Sequence, residues 1–332
     1  MAFGEFDLID SYFKHRQRQR SDVVLGIGDD GAVLRCPERS ELVVVTDTMV
    51  AGVHFDQHMP ARVIGHKIVA VNLSDLAAMG AEPAWISLAL TLPQLDHDWL
   101  GSFAQGLRDI CDYYGCQLIG GDTTQGPLTI TVTAHGWVPQ GSAIRRDGAK
   151  PGDWLFVSGT LGDAGLALAA QQKQVKITDE HYVRACDRLF MPAPRVALGQ
   201  SLRAIASSAI DISDGLLADL QHILNASQVG ARLSLQELPL SLAMTESVDQ
   251  QQAIALALSS GDDYELCFTV PESRRGVLDT LLARDASKPT CIGRITSEPG
   301  KVKLELDGEP WQFSQVAGYQ HFATDSSNEQ QP

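Results

Sequence analysis

The sequence predicts an α/β (α+β) protein of two domains, and three observations carry that expectation. Strand-like apolar runs alternate with stretches of helical periodicity along most of the chain. A segment punctuated by glycine and proline, residues 141–152 (GSAIRRDGAKPG), divides those runs into two groups. With 332 residues and 44% hydrophobic content, the chain can bury a sizeable core. The expected boundaries are 1–140 for the first domain, 150–324 for the second and 325–332 for a disordered tail, whose surroundings (ATDSSNEQQP) are polar and low in apolar residues.

Taken in order, an amphipathic opening segment (Phe6, Leu8, Ile9, Tyr12, Phe13) leads to strand-like runs at 41–46, 85–92 and 128–138. In the last run Leu128, Ile130, Val132 and Ala134 alternate onto one face. Residues 61–79 read as a helix with Ile64, Ile68, Val71 and Met79 on a shared stripe and Gly80 as its stop, and a second helix is expected over 99–114. Beyond the junction the pattern gives a strand at 153–158, a helix at 162–172 and a strand at 209–212. A turn and a helix at 216–225 follow, with Leu217, Leu220 and Leu224 inward and Ser213 or Asp214 as its cap. Strands at 266–270 and 303–306 complete the set.

A formal net charge of −15 argues against nucleic acid or an anionic membrane as partner, since both would be repelled. The most apolar window, AWISLALTLP, is far shorter than a membrane span, and the opening MAFGEFDLID lacks the basic and apolar regions of a signal peptide. The six cysteines show no CxxC pair and no zinc spacing, so they read as reduced core thiols of a cytoplasmic protein.

Seven aspartates carry the chemistry: Asp29 and Asp30 in GIGDDG, Asp47 in VVVTDT, Asp75 in NLSDLAAMG, Asp122 in GGDTT, and Asp211 and Asp214 in DISDG. Carboxylates about 4 Å apart repel by roughly 4 kcal/mol per pair at an effective dielectric near 20. If several converge, protons or cations must relieve that repulsion, and Mg2+, which takes one or two carboxylates plus water and phosphate oxygens, suits the purpose. Asp75 is the most informative, because it falls on the apolar stripe of its helix, where an unpaired charge costs several kcal/mol.

GIGDDG matches GxGxxG by letter, but the residues after it look like a hairpin and two aspartates would face a pyrophosphate, so a dinucleotide site is rejected. A P-loop is also missing from the sequence. GGDTT offers two glycines that permit close approach to a phosphate and a carboxylate that can coordinate the accompanying ion, with a simple type I or II turn as the alternative. Arg145 and Arg146 are candidates for a bidentate phosphate contact, Ser213 for a contact to ATP, and His54 for a substrate phosphate or ring.

The strings GIGDDGAVL, TDTMVAGVHF, VNLSDLAAMGAEP, LIGGDTT, GAKPGDWLFVSGTLGDAG, DISDGL, SGDDYELCF and GYQHF, in that order, resemble the bacterial thiamine-monophosphate kinases of the aminoimidazole-ribonucleotide-synthetase-like superfamily. The resemblance implies an N-terminal α/β domain that forms a β-barrel with its twin in a homodimer, and a C-terminal α/β domain. It implies direct in-line transfer of the γ-phosphoryl group of ATP to thiamine monophosphate with several Mg2+ ions. By position, it assigns Asp30, Thr46, Asp47, Asp75, Asp122, Asp211 and Asp214 to metal, and Gly121, Asp122, Arg146 and Ser213 to ATP. His54, Asp262 and Tyr319 fall to the thiamine-phosphate side. No catalytic side chain beyond metal-assisted transfer is expected, because the attacking phosphate oxygen is already ionised. Two departures are visible: GDDYEL stands where relatives often read GEDYEL, and Val45 stands where relatives carry Ser. The rivals are a selenophosphate-synthetase-like enzyme, against which residues 1–35 carry no Cys, an amidine-forming cyclo-ligase, and a nucleotide-binding regulator without turnover.

Overall fold

In the computed structural model, residues 8–14, 19–56, 58–282 and 289–313 are described. Tyr319, the expected tail and the end of the second expected domain lie outside them. Two sheets organise the chain, in the mixed α/β, two-domain arrangement that the alternation of elements predicts.

The first is four-stranded, built from β3 (Ser40–Val50), β4 (Glu82–Leu92), β5 (Gln117–Gln125) and β6 (Thr129–Pro139) in the order β3-β6-β4-β5. A separate short pair, β1 (Val23–Leu25) and β2 (Val33–Leu34), is antiparallel and encloses GIGDDG. That string therefore has no helix after it, and the dinucleotide fingerprint has no structural counterpart. The sheet is open among the described residues, with β3 and β5 as its edges. Only β4 and β5 run parallel, joined by helix α2 (His97–Tyr114), whose start is capped by Asp96 accepting from the Trp99 N–H.

Helix α1 (Ala61–Ala78) lies between this sheet and the rest of the molecule and is buried almost all round, which is why its apolar residues form more than a stripe. Two glycines let it sit tightly on α2: a Cβ on Gly65 would strike the Phe103 carbonyl, and one on Gly106 would strike that of Arg62. Ile64, Ile68, Leu73 and Leu76 are fully buried, and each such side chain contributes roughly 1.5–3 kcal/mol. On β6, Ile130, Val132 and Ala134 face the same core, as their alternation predicts.

The second sheet has seven strands in the order β13-β12-β9-β11-β7-β10-β8, antiparallel except for β9 with β12. Its members are β7 (Trp154–Val157), β8 (Ser208–Asp211), β9 (Gly230–Ser234), β10 (Leu266–Val270), β11 (Thr290–Thr296), β12 (Val302–Leu306) and β13 (Glu309–Pro310). Six helices accompany it: α3 (Asp163–Gln171), α4 (Asp179–Phe190), α5 (Val196–Leu202), α6 (Leu216–Ser227), α7 (Leu242–Ser247) and α8 (Gln250–Ser259); α9 (Arg275–Leu282) follows β10. The core is continuous across the seam, since Phe156, Leu198, Ala209, Leu266 and Phe268 pack into the same cluster as α1. Strand β8, at one edge, thus ends against α1.

Two local expectations change. GGDTT is part of strand β5, paired in parallel with β4, rather than a turn. Gly121 has φ +153°, and a Cβ there would collide with the Leu88 carbonyl, so this glycine is required by strand packing. The helix after DISDG is not capped by Ser213 or Asp214. Instead Asp219, in its first turn, accepts from the backbone N–H groups of Ser213, Asp214 and Gly215 at 3.0, 3.0 and 3.1 Å.

Candidate active site

Three elements deliver carboxylates to the seam. Strand β3 brings Asp47 on its core-facing side, α1 brings Asp75 from its last full turn, and β8 ends in Asp211, which is 4% exposed. Asp75 shares hydrogen bonds with both Asp47 and Asp211, so at least one proton sits among the three groups. Burial is the main cause of their weakened acidity, and for Asp47 and Asp75 like charge is the next. The Asp47 carboxyl is pushed up to about 6 by burial and then by Asp211, with Asp214 adding repulsion. Burial, then Asp211 and Asp47, push Asp75 up to about 8, with Arg146 opposing them. Asp211 is raised by burial alone, against the Ser74 hydroxyl, Arg146 and Asp75.

Arg146 enters from the short 3-10 turn Arg146–Gly148 in the interdomain segment, where the Ser227 hydroxyl donates to its carbonyl at 2.8 Å. Together with Arg145, Val45, Thr46, Asp75 and Ala209 it lines a cleft of about 510 Å³ that opens from the carboxylates. A comparable depression of about 470 Å³ near His58 and Trp99 holds none of them. The cleft therefore runs from Asp75 to the Arg146 guanidinium, with Arg145 ion-paired to Asp147 on its rim, an arrangement suited to a metal-bound polyphosphate.

The donors gathered here are oxygen only, the chemistry a hard divalent cation takes, although among the described residues no three acidic, His or Cys side chains stand in ligand geometry. The upward shifts of Asp47 and Asp75 favour protonated carboxyls here, and a cation would displace those protons. The buried Ser74 hydroxyl lies near enough to favour ionised Asp211, yet not in the geometry of a full hydrogen bond, and so is left aimed at the cluster.

Of the residues expected at this site, Asp47, Asp75, Asp211, Asp214 and Arg146 come together. Ser213 adjoins them, its N–H held by Asp219 and its carbonyl accepting from Asp262 N–H. Thr46 lines the cleft, but its side chain turns to the opposite face of β3 from Asp47, where its hydroxyl donates to Thr133 at 3.0 Å. Gly121 and Asp122 stand on β5. Asp47 aligns with Val132, Val132 with Leu88 and Leu88 with Gly121, so three strand spacings, about 14 Å, separate the two edges. Asp29 and Asp30 are exposed in the loop between β1 and β2, Asp29 accepting from the Asp30 N–H, and no contact joins them to the cluster among the described residues. His54 is turned back on its own turn, its Nδ1 accepting from the Val50 N–H at 3.1 Å. Asp262 faces the seam and pairs with Lys67 at 3.0 Å.

Two functional candidates escaped the sequence reading. Asp219 was hidden as an ordinary polar position of α6, although it sits five residues after Asp214 and ties down the whole DISDG turn; burial, then Asp211, push its carboxyl up to about 7. Lys67, 3% exposed, is a lone cation in the apolar run of α1, which is the same signal that marks Asp75.

Comparison with known proteins identifies the family. Residues 28–138 match the model of the AIR synthase related protein N-terminal domain, and residues 150–305 match that of its C-terminal domain. The chain is 50% identical over 328 residues to the thiamine-monophosphate kinase of Escherichia coli K12, covering 98% of this chain and 100% of that one. It is 44% identical to the thiamine-monophosphate kinase of Haemophilus influenzae, covering 97% and 99%. The crystal structure of the enzyme of that name from Stenotrophomonas maltophilia superposes with a TM-score of 0.81 at 48% identity, over 88% of this chain and 93% of the other. A structure described as AaThiL complexed with AMPPCP and TMP superposes at 0.75 with 30% identity, over 96% and 97%. The chain belongs to the thiamine-monophosphate kinase family, within the AIR synthase related proteins.

Proposed function

We propose that this protein transfers the γ-phosphoryl group of ATP to thiamine monophosphate, giving thiamine diphosphate and ADP. The observation that carries the reading is the joining of Asp47, Asp75 and Asp211 at the seam beneath a cleft rimmed by Arg145 and Arg146. Family membership along nearly the whole chain and the AMPPCP and TMP complex of the 30% identical relative support it.

Asp47, Asp75 and Asp211, with Asp214, would hold Mg2+, which when bound offsets the repulsion between two phosphate-bearing reactants. The chain's own contribution is positioning. Arg146 holds a phosphate oxygen in the cleft, the DISDG turn is kept rigid by Asp219, and Asp262 meets the acceptor's organic part. The phosphate nucleophile is ionised already, so no side chain need accept its proton.

A homodimer belongs to the same reading. Leu42 and Val44 are 50% and 53% exposed on edge strand β3. The β5 edge that carries Gly121 and Asp122 is likewise open, so two sheets closing edge to edge would carry one copy's Asp122 toward the partner's cluster. Six free cysteines and an ATP requirement accord with the cytoplasm, and no helix among the described residues is long and apolar enough to cross a membrane.

The test is incubation with ATP, Mg2+ and thiamine monophosphate followed by phosphorus NMR. A new diphosphate signal with stoichiometric ADP is expected. Bound substrates without that product would reject a kinase in favour of a regulator.

A further inference from the structure

Lys67 projects from α1 into the seam, and its Nζ lies 3.0 Å from Asp262 Oδ1. The Tyr264 hydroxyl donates to the same oxygen at 2.9 Å. Asp262 belongs to the segment between α8 and β10, in the second domain, so the ion pair crosses from one domain to the other.

The backbone around Asp262 follows an unusual path. Asp262 has φ +66° and Tyr264 φ +49°, a region that side-chain-bearing residues rarely adopt. Hydrogen bonds of 2.8 Å from Asp262 N–H to Ser213 O and from Tyr264 N–H to Ile212 O hold that path against DISDG. Such conformations persist where the surroundings over-determine them, characteristically at ligand clamps.

The burial of the pair is lopsided. The Lys67 side chain is 3% exposed whereas that of Asp262 is 37% exposed. Glu265 nearby, at 0%, is closed over by Arg188 and Arg195 at 22% and 21%, both less exposed than Asp262. Here the lysine is enclosed behind the carboxylate and the carboxylate is open to solvent. Because Lys67 and Asp75 share one rigid helix, a single element aims both the cation site and Asp262.

We propose that Lys67 is a positioning residue for the acceptor: with Tyr264 it fixes the Asp262 carboxylate from behind, so that Asp262 meets the cationic, amine-bearing heterocycles of thiamine monophosphate. This rests on the kinase reading above and on Asp262 as the acceptor contact.

The experiment is steady-state kinetics of wild type, Lys67→Met, Asp262→Asn and the double variant, with each substrate varied in turn. Lys67→Met is expected to raise KM for thiamine monophosphate about 10-fold while leaving KM for ATP and kcat within about 3-fold, because it removes acceptor binding alone. The double variant is expected to match Asp262→Asn rather than to multiply the two effects. Equal losses in both KM values and kcat, or multiplicative effects, would overturn the inference. If Lys67→Met does not fold, Tyr264→Phe removes the other donor without orphaning a charge: a selective rise of about 3-fold in the acceptor KM supports the proposal, and an unchanged KM overturns it. Wild type without turnover would reject the kinase reading itself, whereas an active wild type with an unmoved Lys67→Met acceptor KM would reject only this inference.

Discussion

Two buried acids on neighbouring chain segments meet opposite surroundings. Glu265 is 0% exposed and fully compensated: Arg188 Nη2 reaches it at 2.6 Å, Arg195 at 2.5 and 2.6 Å, and the Ser158 hydroxyl at 2.5 Å. Asp211, 4% exposed, lies one hydrogen bond away, since Ile212 N–H donates to the Glu265 carbonyl. Its carboxylate meets Asp75 and Asp47, and although Ser74, Arg146, its own backbone N–H and the Asp75 carboxyl favour its charge, burial outweighs them. The first acid is completed by the fold. The second is left incomplete, and its deficit is the one that a cation and phosphate substrates would make good.

The sharpest separation of the two regions comes from deleting one carboxylate in each. Glu265→Ala orphans Arg188 and Arg195 and is expected to cost about 3–5 kcal/mol of stability in urea unfolding. A loss below about 1 kcal/mol would remove the contrast. Asp75→Asn should do the reverse: turnover falls on the order of 100-fold at fixed Mg2+, while the metal-free protein melts at a higher temperature at alkaline pH because repulsion is relieved. Unchanged turnover, or a lowered melting temperature, would break the comparison from the other side.

A smaller effect follows from pH. Asp47, Asp219 and Asp75 titrate at about 6, 7 and 8 in the folded chain against an ordinary 3.8, so between those limits the folded state binds more protons than the unfolded one. Stability of the metal-free protein must therefore fall as pH rises through that window, and Mg2+ should restore it most at the alkaline end. A melting temperature that rises from pH 5 to pH 8 without metal would contradict the assignment. Smaller still, Asp219→Asn weakens three amide contacts of the DISDG turn and should cost about 1 kcal/mol, with a raised Mg2+ requirement as its functional readout. An unaltered Mg2+ dependence would reduce Asp219 to a structural cap.

How far the sequence foretold this depends on whether the signal is local. Asp75 and DISDG were legible because a charge amid helical apolar spacing, or beside a strand end, is conspicuous by itself. The helix around Asp75 and strands β6, β7, β8 and β10 were legible for the same reason. The strand at GGDTT is not legible locally because its glycines and aspartate lack strand propensity, and only parallel pairing with β4 makes it one. Thr46 and Asp122 were grouped with Asp47 by motif order, yet strand alternation and sheet register set them on another face and another edge. Lys67 was visible in the run HKIVAV, but its partner Asp262 is distant in sequence, and no pattern within α1 points to it. Helices α4, α5, α7 and α8 went unread.

The most direct test of the central claim is proton release on Mg2+ binding, measured near pH 7 by calorimetry in buffers of different ionisation heat. Displacement of the protons shared by Asp47, Asp75 and Asp211 predicts release of about one proton per chain, lost in Asp75→Asn. Mg2+ binding with no proton released, and an affinity independent of pH, would show that the gathered carboxylates are not the cation site.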